Sequence, residues 1–539
     1  MVMLNTTIQD RLTESFHKYS NKTIIEYGDV TLTYKELYNK SSYFKNWIIS
    51  NNIKQHSHIG IILDDRINLI ASIIGILMAG CVFVPLEPSY PINRLYGMME
   101  EIDTSLIITD RANSDRVMSC YVENNKKSPD CLIVENSFFF QNNLTETFDS
   151  ITYSNEDPIY IYFTSGTTGK PKPIIGVNKS LVHFIDWEID TFNINENTKV
   201  SQFASPSFDA FLRDLFVPLL AGGIVCIPSN LYNIIRTGDF VNWLEMSRIN
   251  LLHCTPSLFK IFKSNTMANN NLIDLQLVLM AGERLRVSDI KKWYDIFGDR
   301  IQIVNMYGPT ETTMIKTFYC LSSSDVQKYI IPIGKPIIGT KIYIMDNYLK
   351  ICAPGEIGEI YIDTQYSTLG YYNSEIPDEK FVMNPINNGY SNILYKTGDL
   401  GRILDDGNIE FYGRIDRQVK VRGIRIELEE IENEILTVPG VKETTVIFME
   451  GEHGDPRLMM NKNDSMDEAY KIFISSQYYI AYYTSFYKVD PSNIVSHLRN
   501  KLPNHMIPNY LINISAMPLT CNGKLDYNAL PLPIITSRK

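Results

Sequence analysis

Short apolar runs alternate with longer stretches of helical apolar spacing from the start of the chain to about residue 415. This alternation predicts a layered α/β architecture, in which helices cover sheets. Several runs end in a Gly or Pro turn, and ligands usually bind beyond such strand ends. The predicted strands include residues 59–62, 106–109, 132–134, 224–227, 251–253, 277–280 and 302–305.

One run, residues 69–86, is apolar apart from Ser72 and is long enough to suggest a membrane span. Gly80 and Pro85 interrupt it, and its pattern is that of a buried helix followed by a buried strand. Residues 1–19 lack the apolar core of a signal peptide. We therefore expect a cytoplasmic protein without a membrane segment.

The pattern changes to short strands and turns after residue 333, and a boundary is expected near residue 415. We predict a large domain over residues 1–415 and a small α+β domain over residues 416–539, with a strand at 417–421 and an amphipathic helix at 427–436. Residues 450–477 are polar and without periodicity, which indicates an insertion or a long loop.

The composition narrows the function classes. The formal net charge of -11 argues against non-specific binding of nucleic acid, which needs a basic surface. The eight cysteines are scattered without a CxxC pair, which favours free thiols in a reducing cytoplasm over disulfides or a zinc site.

A loop rich in hydroxyl groups and glycine, YFTSGTTGKPKP, follows a strand-like run. Its backbone N–H groups, hydroxyls and lysines suit a polyphosphate, whereas a polar surface loop is the alternative. It is not a Walker loop, because two residues instead of four separate its glycines and Pro171 follows the lysine. The expected phosphate contacts are Thr164, Ser165, Gly166, Thr167, Thr168, Gly169 and Lys170.

Further segments could complete a nucleotide site. In NMYGPTETT, Tyr307 can stack on a base, and Thr310 and Glu311 can reach a phosphate and its Mg²⁺. In YKTGDL, the Asp399 carboxylate can accept hydrogen bonds from ribose hydroxyls. An ordinary turn is the alternative for each. Lys524 follows an Asn-Gly pair that predicts an exposed hairpin tip.

These segments, together with GRIDRQVKVRGIRIELEEIE and NGKLDYNALP, occur in an order that resembles the adenylate-forming superfamily. Specifically, the chain resembles the amino-acid adenylation domains of nonribosomal peptide synthetases, from about residue 32 to residue 531. The resemblance implies an α/β protein with a large layered N-terminal domain, a β-rich subdomain and a small C-terminal lid domain that rotates about a hinge.

The resemblance also implies a two-step enzyme that uses ATP and Mg²⁺. An amino-acid carboxylate would attack the α-phosphorus of ATP, which gives an aminoacyl adenylate and pyrophosphate. The small domain would then turn about Asp416, Lys524 would withdraw, and the Gly423 side would face the site while the aminoacyl group passes to a carrier phosphopantetheine. The expected partner is thus a carrier protein on a separate chain or on a portion beyond this sequence. A small activator protein is a further partner that the resemblance leaves open.

Each role is assigned to residues by the same resemblance. Lys524 and Thr310 belong to the catalytic set, and Glu311 binds Mg²⁺. The nucleoside contacts are Gly282, Asn305, Tyr307, Asp399 and Arg414. Pro173 is a departure, because the family usually has a small residue there.

Asp209, at the end of FASPSFD, aligns with the aspartate that pairs with a substrate α-ammonium. A buried carboxylate needs a positive partner, so Asp209 favours amino acids over the fatty or aryl acids of related ligases. An aspartate that caps a helix is the alternative. The other assigned pocket positions are Ala210, Arg213, His253, Leu279, Ala281, Met306, Met314 and Ile315.

Arg213 and His253 are unusual among these apolar neighbours. A buried guanidinium needs a carboxylate, so the sequence predicts a substrate with an acidic side chain, such as glutamate or aminoadipate. Alternatively, Arg213 points to solvent or pairs with Asp214 or another protein carboxylate, and the pocket takes a medium-sized hydrophobic side chain. An acyl- or aryl-CoA ligase and a non-catalytic relative of the same fold are the rival functions.

Overall fold

The protein is described here from a computed structural model, which covers residues 6–135, 151–166, 170–263, 267–373, 379–386, 389–450, 477–519 and 525–531. Its mixture of helices and layered sheets confirms the predicted α/β class. None of the helices in these ranges has the length and apolar composition that crossing a bilayer requires.

A six-stranded sheet has the strand order β6-β5-β3-β4-β7-β8. Its strands are parallel except for β8, which runs antiparallel to β7 at the edge. The strands are β3 (His58–Ile62), β4 (Val82–Pro85), β5 (Leu106–Thr109), β6 (Asp130–Ile133), β7 (Pro158–Thr164) and β8 (Lys172–Val177). The helices between its parallel strands are α3 (Arg66–Met78), α4 (Ile92–Glu101) and α5 (Arg111–Glu123).

Pro173 lies in β8, opposite Phe163. An edge strand tolerates proline, because its outer side does not need every backbone N–H group. The Pro173 carbonyl still accepts a hydrogen bond from the Tyr372 N–H at 2.9 Å, so residues 369–372 follow the outer edge of β8. The fold therefore accommodates the residue that departs from the family pattern.

A nine-stranded sheet has the order β15-β14-β13-β12-β11-β9-β10-β1-β2, and its central strands, from β13 to β1, are parallel. Its strands are β1 (Thr23–Tyr27), β2 (Val30–Thr33), β9 (Lys199–Ser201), β10 (Ile224–Ile227), β11 (Leu251–Cys254), β12 (Leu277–Met280), β13 (Gln302–Tyr307), β14 (Thr317–Cys320) and β15 (Lys335–Pro336). The helices before and between these strands are α1 (Ile8–Lys18), α2 (Tyr34–Ser50), α6 (Asn178–Phe192), α7 (Ala210–Ala221), α8 (Leu231–Thr237), α9 (Phe240–Met246), α10 (Pro256–Phe259) and α11 (Val287–Phe297).

One large hydrophobic core joins both sheets. It contains residues from β3 and β7 of one sheet, from β10 and β11 of the other, and from α3, α6 and α7. The long apolar run of the sequence, residues 69–86, forms most of α3 and then β4, and its side chains are divided between this core and a second buried cluster that contains Val82 and Val84. Its hydrophobicity therefore reflects burial on all sides within the protein.

The β-rich stretch forms a further sheet, with the order β16-β17-β19-β18 and β20 paired to β19. Its strands are β16 (Thr340–Met345), β17 (Gly358–Thr364), β18 (Phe381–Met383), β19 (Ile393–Ile403) and β20 (Ile409–Arg414).

The C-terminal part has its own hydrophobic core. A short hairpin of β21 (Val419–Val421) and β22 (Ile424–Ile426) turns at Gly423, whose φ of +81° suits glycine. The remaining elements are α12 (Leu428–Leu436), α13 (Pro491–Arg499) and a three-stranded sheet of β23 (Val441–Glu450), β24 (Gln477–Ser485) and β25 (Tyr510–Asn513). Residues 451–476, which make up nearly all of the predicted insertion, lie outside the described residues.

Candidate active site

The candidate site lies at the carboxyl ends of three neighbouring parallel strands, β11, β12 and β13. His253 on β11 is in register with Leu279 on β12, which is in register with Val304 on β13. Ala281 follows β12 and packs against the same buried cluster as the other apolar pocket residues. The predicted pocket residues within that cluster are Leu279, Met306, Met314 and Ile315. Pocket positions that are far apart in sequence therefore come together.

Asp209 stands immediately before α7, at the N-cap position, while Ala210 is the first helical residue. The Asp209 side chain makes no capping hydrogen bond, so it occupies the place of a helix cap without acting as one. Burial raises the pKa of Asp209, while hydrogen bonds from Thr310 and from the Ala210 N–H, together with the charge of Lys420, act in the opposite direction. The carboxylate would thus gain from a further cation beside it.

Both oxygens of Asp399 are engaged by residues assigned to the nucleoside. The Tyr307 hydroxyl donates to Oδ2 at 2.5 Å, and Arg414 Nη1 donates to Oδ1 at 2.5 Å. Arg414 also donates to both oxygens of Asp416, at 2.6 and 2.7 Å. Arg414 therefore links the predicted ribose carboxylate to the predicted hinge residue.

The other two nucleoside positions flank this cluster. Asn305, on β13, is buried, and its side-chain amide donates to the Pro332 carbonyl at 2.8 Å. Gly282 has a φ of +90°, a conformation that favours glycine.

Glu311 is fully buried between the large domain and the β21–β22 hairpin. Its Oε1 accepts hydrogen bonds from the Tyr371 hydroxyl and from Arg425 Nη1, both at 2.6 Å. Burial acts to raise the pKa of Glu311, but Arg425 and Lys380 outweigh it and hold the pKa at about 2. Glu311 is therefore a carboxylate at physiological pH.

The second oxygen of Glu311, Oε2, is buried without a hydrogen-bond partner in the described part of the chain. An orphaned carboxylate oxygen fits a hard cation such as Mg²⁺. Among the described residues, no group of three or more His, Cys, Asp or Glu could hold a metal ion. A Mg²⁺ ion bound here would therefore take its other ligands from phosphate and water.

The predicted phosphate loop connects β7 to the antiparallel strand β8. At its start, the Thr164 hydroxyl lies 3.4 Å from the Lys172 carbonyl, and the Ser165 hydroxyl donates to the Arg425 carbonyl at 3.0 Å. A Cβ atom at Gly166 would lie 2.1 Å from the Lys170 carbonyl oxygen, so the tight turn requires glycine. The other predicted phosphate contacts, Thr167, Thr168 and Gly169, lie outside the described residues, as does Lys524.

The turn of the β21–β22 hairpin lies against the candidate site. The Gly423 N–H donates to Glu283 Oε1 at 2.8 Å, and a Cβ atom at Gly282 would lie 3.3 Å from the Gly423 Cα. A Cβ atom at Gly423 would lie 2.6 Å from Thr255 Cγ2. Glycine is thus required where the hairpin passes between Gly282 and Thr255.

Arg213 and His253 are buried at the inner end of the pocket, and both contact Glu188 of α6. Arg213 Nη2 also lies 3.3 Å from Met306 Sδ, which places the guanidinium beside a predicted pocket residue. The partner of Arg213 in this structure is therefore a protein carboxylate, as in the alternative to an acidic substrate.

Sequence reasoning missed Glu188, Tyr371, Glu283 and Arg425. Glu188 belongs to a helix that precedes the pocket segment, and its position within α6 is buried on all sides. A glutamate in the apolar stretch SLVHFIDWEI is the signal that could have drawn attention to it, because a buried charge needs a partner. Arg425 was within a quoted segment, but its contact with Glu311 spans 114 residues of sequence.

The family model of AMP-binding enzymes matches residues 12–372. Gramicidin S synthase 2 from Brevibacillus brevis is 33% identical over 532 residues, which are 97% of this chain and 11% of that protein. The chain spans less than half the length of the curated relatives it matches.

Two solved structures are similar over almost the whole chain. Holo-PA1221, described as an NRPS protein with adenylation and PCP domains bound to a vinylsulfonamide inhibitor, has a TM-score of 0.79 at 21% identity, covering 97% of this chain and 84% of that one. Holo-AB3403, a four-domain nonribosomal peptide synthetase bound to AMP and glycine, has a TM-score of 0.64 at 25% identity, covering 99% of this chain and 37% of that one.

Proposed function

Since the chain belongs to the family of AMP-binding enzymes, we propose that it activates an amino acid with ATP, forms an aminoacyl adenylate and releases pyrophosphate. The observation that carries the proposal is the position of Asp209, a carboxylate that caps no helix and whose pKa is raised by burial. A substrate ammonium is the cation that such a carboxylate would bind. An acyl- or aryl-CoA ligase has no use for this group.

The surrounding residues support the chemistry of adenylation. Tyr307, Asp399 and Arg414 would hold the nucleoside, and the loop from Thr164 to Lys170 would hold the phosphates. Glu311 would bind Mg²⁺ through Oε2, and the ion would neutralise charge that develops on the phosphates. Lys524 would approach the α-phosphate from the small domain.

We further propose that the aminoacyl group passes to the phosphopantetheine thiol of a carrier protein. The hairpin turn at Gly423 lies beside Gly282, with no room for a Cβ atom at Gly423 and only a close contact, 3.3 Å, for one at Gly282, which supports a narrow passage for a thiol arm between them. In this arrangement Arg425 occupies the side of Glu311 that faces the hairpin. This contact supports the proposal that the hairpin docks after pyrophosphate has left.

The charge on Arg213 does not need an acidic substrate, because Glu188 already pairs with it. The contact therefore favours the alternative, a medium-sized hydrophobic side chain among Leu279, Met306 and Ile315. Glutamate and aminoadipate remain members of the test panel.

Amino-acid-dependent exchange between ATP and pyrophosphate tests the proposal across the proteinogenic amino acids, aminoadipate, fatty acids and aryl acids. We expect exchange with one amino acid or a few similar ones. Exchange with fatty or aryl acids alone would identify a CoA ligase, and no exchange with any acid would identify a non-catalytic relative. The second step is tested by measuring, by mass spectrometry, whether the aminoacyl group is transferred to a phosphopantetheinylated carrier domain.

A further inference from the structure

Four ionisable side chains meet in the buried region behind the substrate pocket. Glu188 comes from α6, Arg213 and Asp214 come from α7, and His253 comes from β11. Arg213 Nη2 lies 2.8 Å from Glu188 Oε2, and His253 Nε2 lies 2.8 Å from Glu188 Oε1. All four are at most 5% exposed, so the contacts are shielded from solvent.

Asp214 has a different set of partners. Its Oδ1 lies 2.9 Å from His253 Nδ1, and its Oδ2 accepts hydrogen bonds from the backbone N–H groups of Phe203 and Ala204 at 3.0 and 2.9 Å. Asp214 thereby holds the loop after β9 and one side of the imidazole. Glu188 is consequently the carboxylate that faces the guanidinium of Arg213.

The contacts also show which charges oppose each other. His253 lies between the two carboxylates, with Nε2 2.8 Å from Glu188 Oε1 and Nδ1 2.9 Å from Asp214 Oδ1. The Glu188 carboxylate lies 2.8 Å from the Arg213 guanidinium and balances its positive charge. Burial acts to raise the pKa of Glu188, but Arg213 and His253 outweigh it and lower the pKa below its usual value.

We propose that Glu188 determines the charge preference of the side-chain pocket. It is a positioning residue: it contacts Arg213 and His253 and cancels the positive charge that Arg213 would present to a substrate. With Glu188 ionised, the pocket selects an uncharged amino acid, and without that charge it favours an acidic one. This inference rests on the proposed amino-acid activation and specifies its substrate class.

The test compares glutamate with glutamine, which have the same shape and differ in charge. The ratio of their kcat/KM values in ATP–pyrophosphate exchange is measured for the wild type and for Glu188→Gln. We expect the ratio to shift at least tenfold towards glutamate in the variant, mainly through a lower KM for glutamate, because ground-state binding changes. If Glu188 had only a structural role, its replacement would lower the activity towards both substrates to the same extent and leave the ratio unchanged. That result would overturn the proposal.

Asp186→Asn is the matched control. Asp186 lies on the same helix, is similarly buried and pairs with Arg11 at 2.7 Å, away from the pocket. We expect this variant to keep the wild-type ratio. A shift as large as that of Glu188→Gln would show a general effect of α6 and would overturn the proposal.

Arg213→Met gives an independent measurement if Glu188→Gln does not fold. It leaves the Glu188 carboxylate without the guanidinium, so the ratio should move away from glutamate. An unchanged ratio overturns the proposal. If the wild type shows no ATP–pyrophosphate exchange with any amino acid, the proposed function is wrong as well. If the wild type is active and the variants leave the ratio unchanged, only the role of Glu188 is refuted.

Discussion

Arg425 Nη1 and Glu311 Oε1 lie 2.6 Å apart, across the contact between the β21–β22 hairpin and the large domain. Glu311 is fully buried, and the charge of Arg425 does most to hold its pKa at about 2 against the effect of burial. A cation from the small domain thus neutralises the residue that we assign to Mg²⁺. When Mg²⁺ leaves with pyrophosphate, Glu311 would lose its neutralising cation. Docking of this hairpin would then bring Arg425 to replace that positive charge.

Replacing Arg425 with Gln should separate the two half-reactions. Without the guanidinium, docking of the hairpin would leave Glu311 buried and unpaired, which costs about 3 kcal/mol or more. We expect thioester formation on a carrier domain to slow at least tenfold while ATP–pyrophosphate exchange stays within about threefold of the wild type. Arg417→Gln, which removes a pair with Glu432 inside the small domain, is the control. Equal losses in both half-reactions would contradict the assignment.

Asp209→Asn should raise the KM for the amino acid by about a hundredfold, because the amide cannot neutralise the ammonium group. An analogue of the amino acid that lacks the α-amino group is the control substrate. The wild type should activate this analogue weakly, and the variant should activate it at least as well. If the variant lost activity towards both substrates to the same extent, Asp209 would not be the ammonium partner.

Tyr307→Phe removes the hydroxyl that donates to Asp399 and retains the ring expected to stack on adenine. We expect the KM for ATP to rise about three- to tenfold, as for loss of one hydrogen bond to a charged group, with little change in the KM for the amino acid. Tyr319→Phe removes a similar bond to Asp325, at 2.8 Å, outside the site. That variant should bind ATP normally, and a matching rise in its KM would show a general effect on the sheet.

Lys316 makes stability depend on pH. It is fully buried, its Nζ donates to the Tyr366 carbonyl at 3.3 Å, and burial lowers its pKa to about 7. Nearby His183 has a pKa lowered to about 3, by burial and by Lys316, so it stays neutral in the same range. Between about pH 7 and about pH 10.5 the unfolded chain binds the extra proton, so Lys316 makes stability rise with pH.

Lys316→Met replaces the buried amine with a slightly shorter apolar chain and should therefore be more stable than the wild type near neutral pH. The advantage should shrink by about 2–3 kcal/mol between about pH 6.5 and about pH 9. Thermal unfolding at the two pH values measures this. Lys350→Met changes an exposed lysine and should show no such dependence, and a constant advantage of Lys316→Met would contradict the shifted pKa.

Local sequence patterns predicted most of the fold. The strands predicted at 106–109, 224–227 and 277–280 have the predicted bounds, because each is a short apolar run with clear ends. The strand predicted at 417–421 is shorter, Val419–Val421, since pairing with β22 determines its length. Pro173 had no explanation in the sequence because edge position depends on strand order, which a local pattern does not contain.

The site was less predictable for the same reason. The positions of Tyr307, Asp399 and Asp209 follow from segments with a strong resemblance, and the structure brings the first two into direct contact. The partners of Arg213 and Glu311 come from other elements, 25 and 114 residues away in sequence. A residue's type indicates that it needs a partner, but only the packing of helices and hairpins determines which one it has.

The location of Glu188 has a consequence for redesign. A chimaera that transplants residues 209–315 into a relative would carry Arg213, Asp214 and His253 but leave α6 behind. The transplanted pocket would then contain a guanidinium whose counter-ion stayed in the donor protein. Exchange of the pocket between such enzymes should therefore begin upstream of α6, at Asn178 or earlier, so that both halves of the ion pair move together.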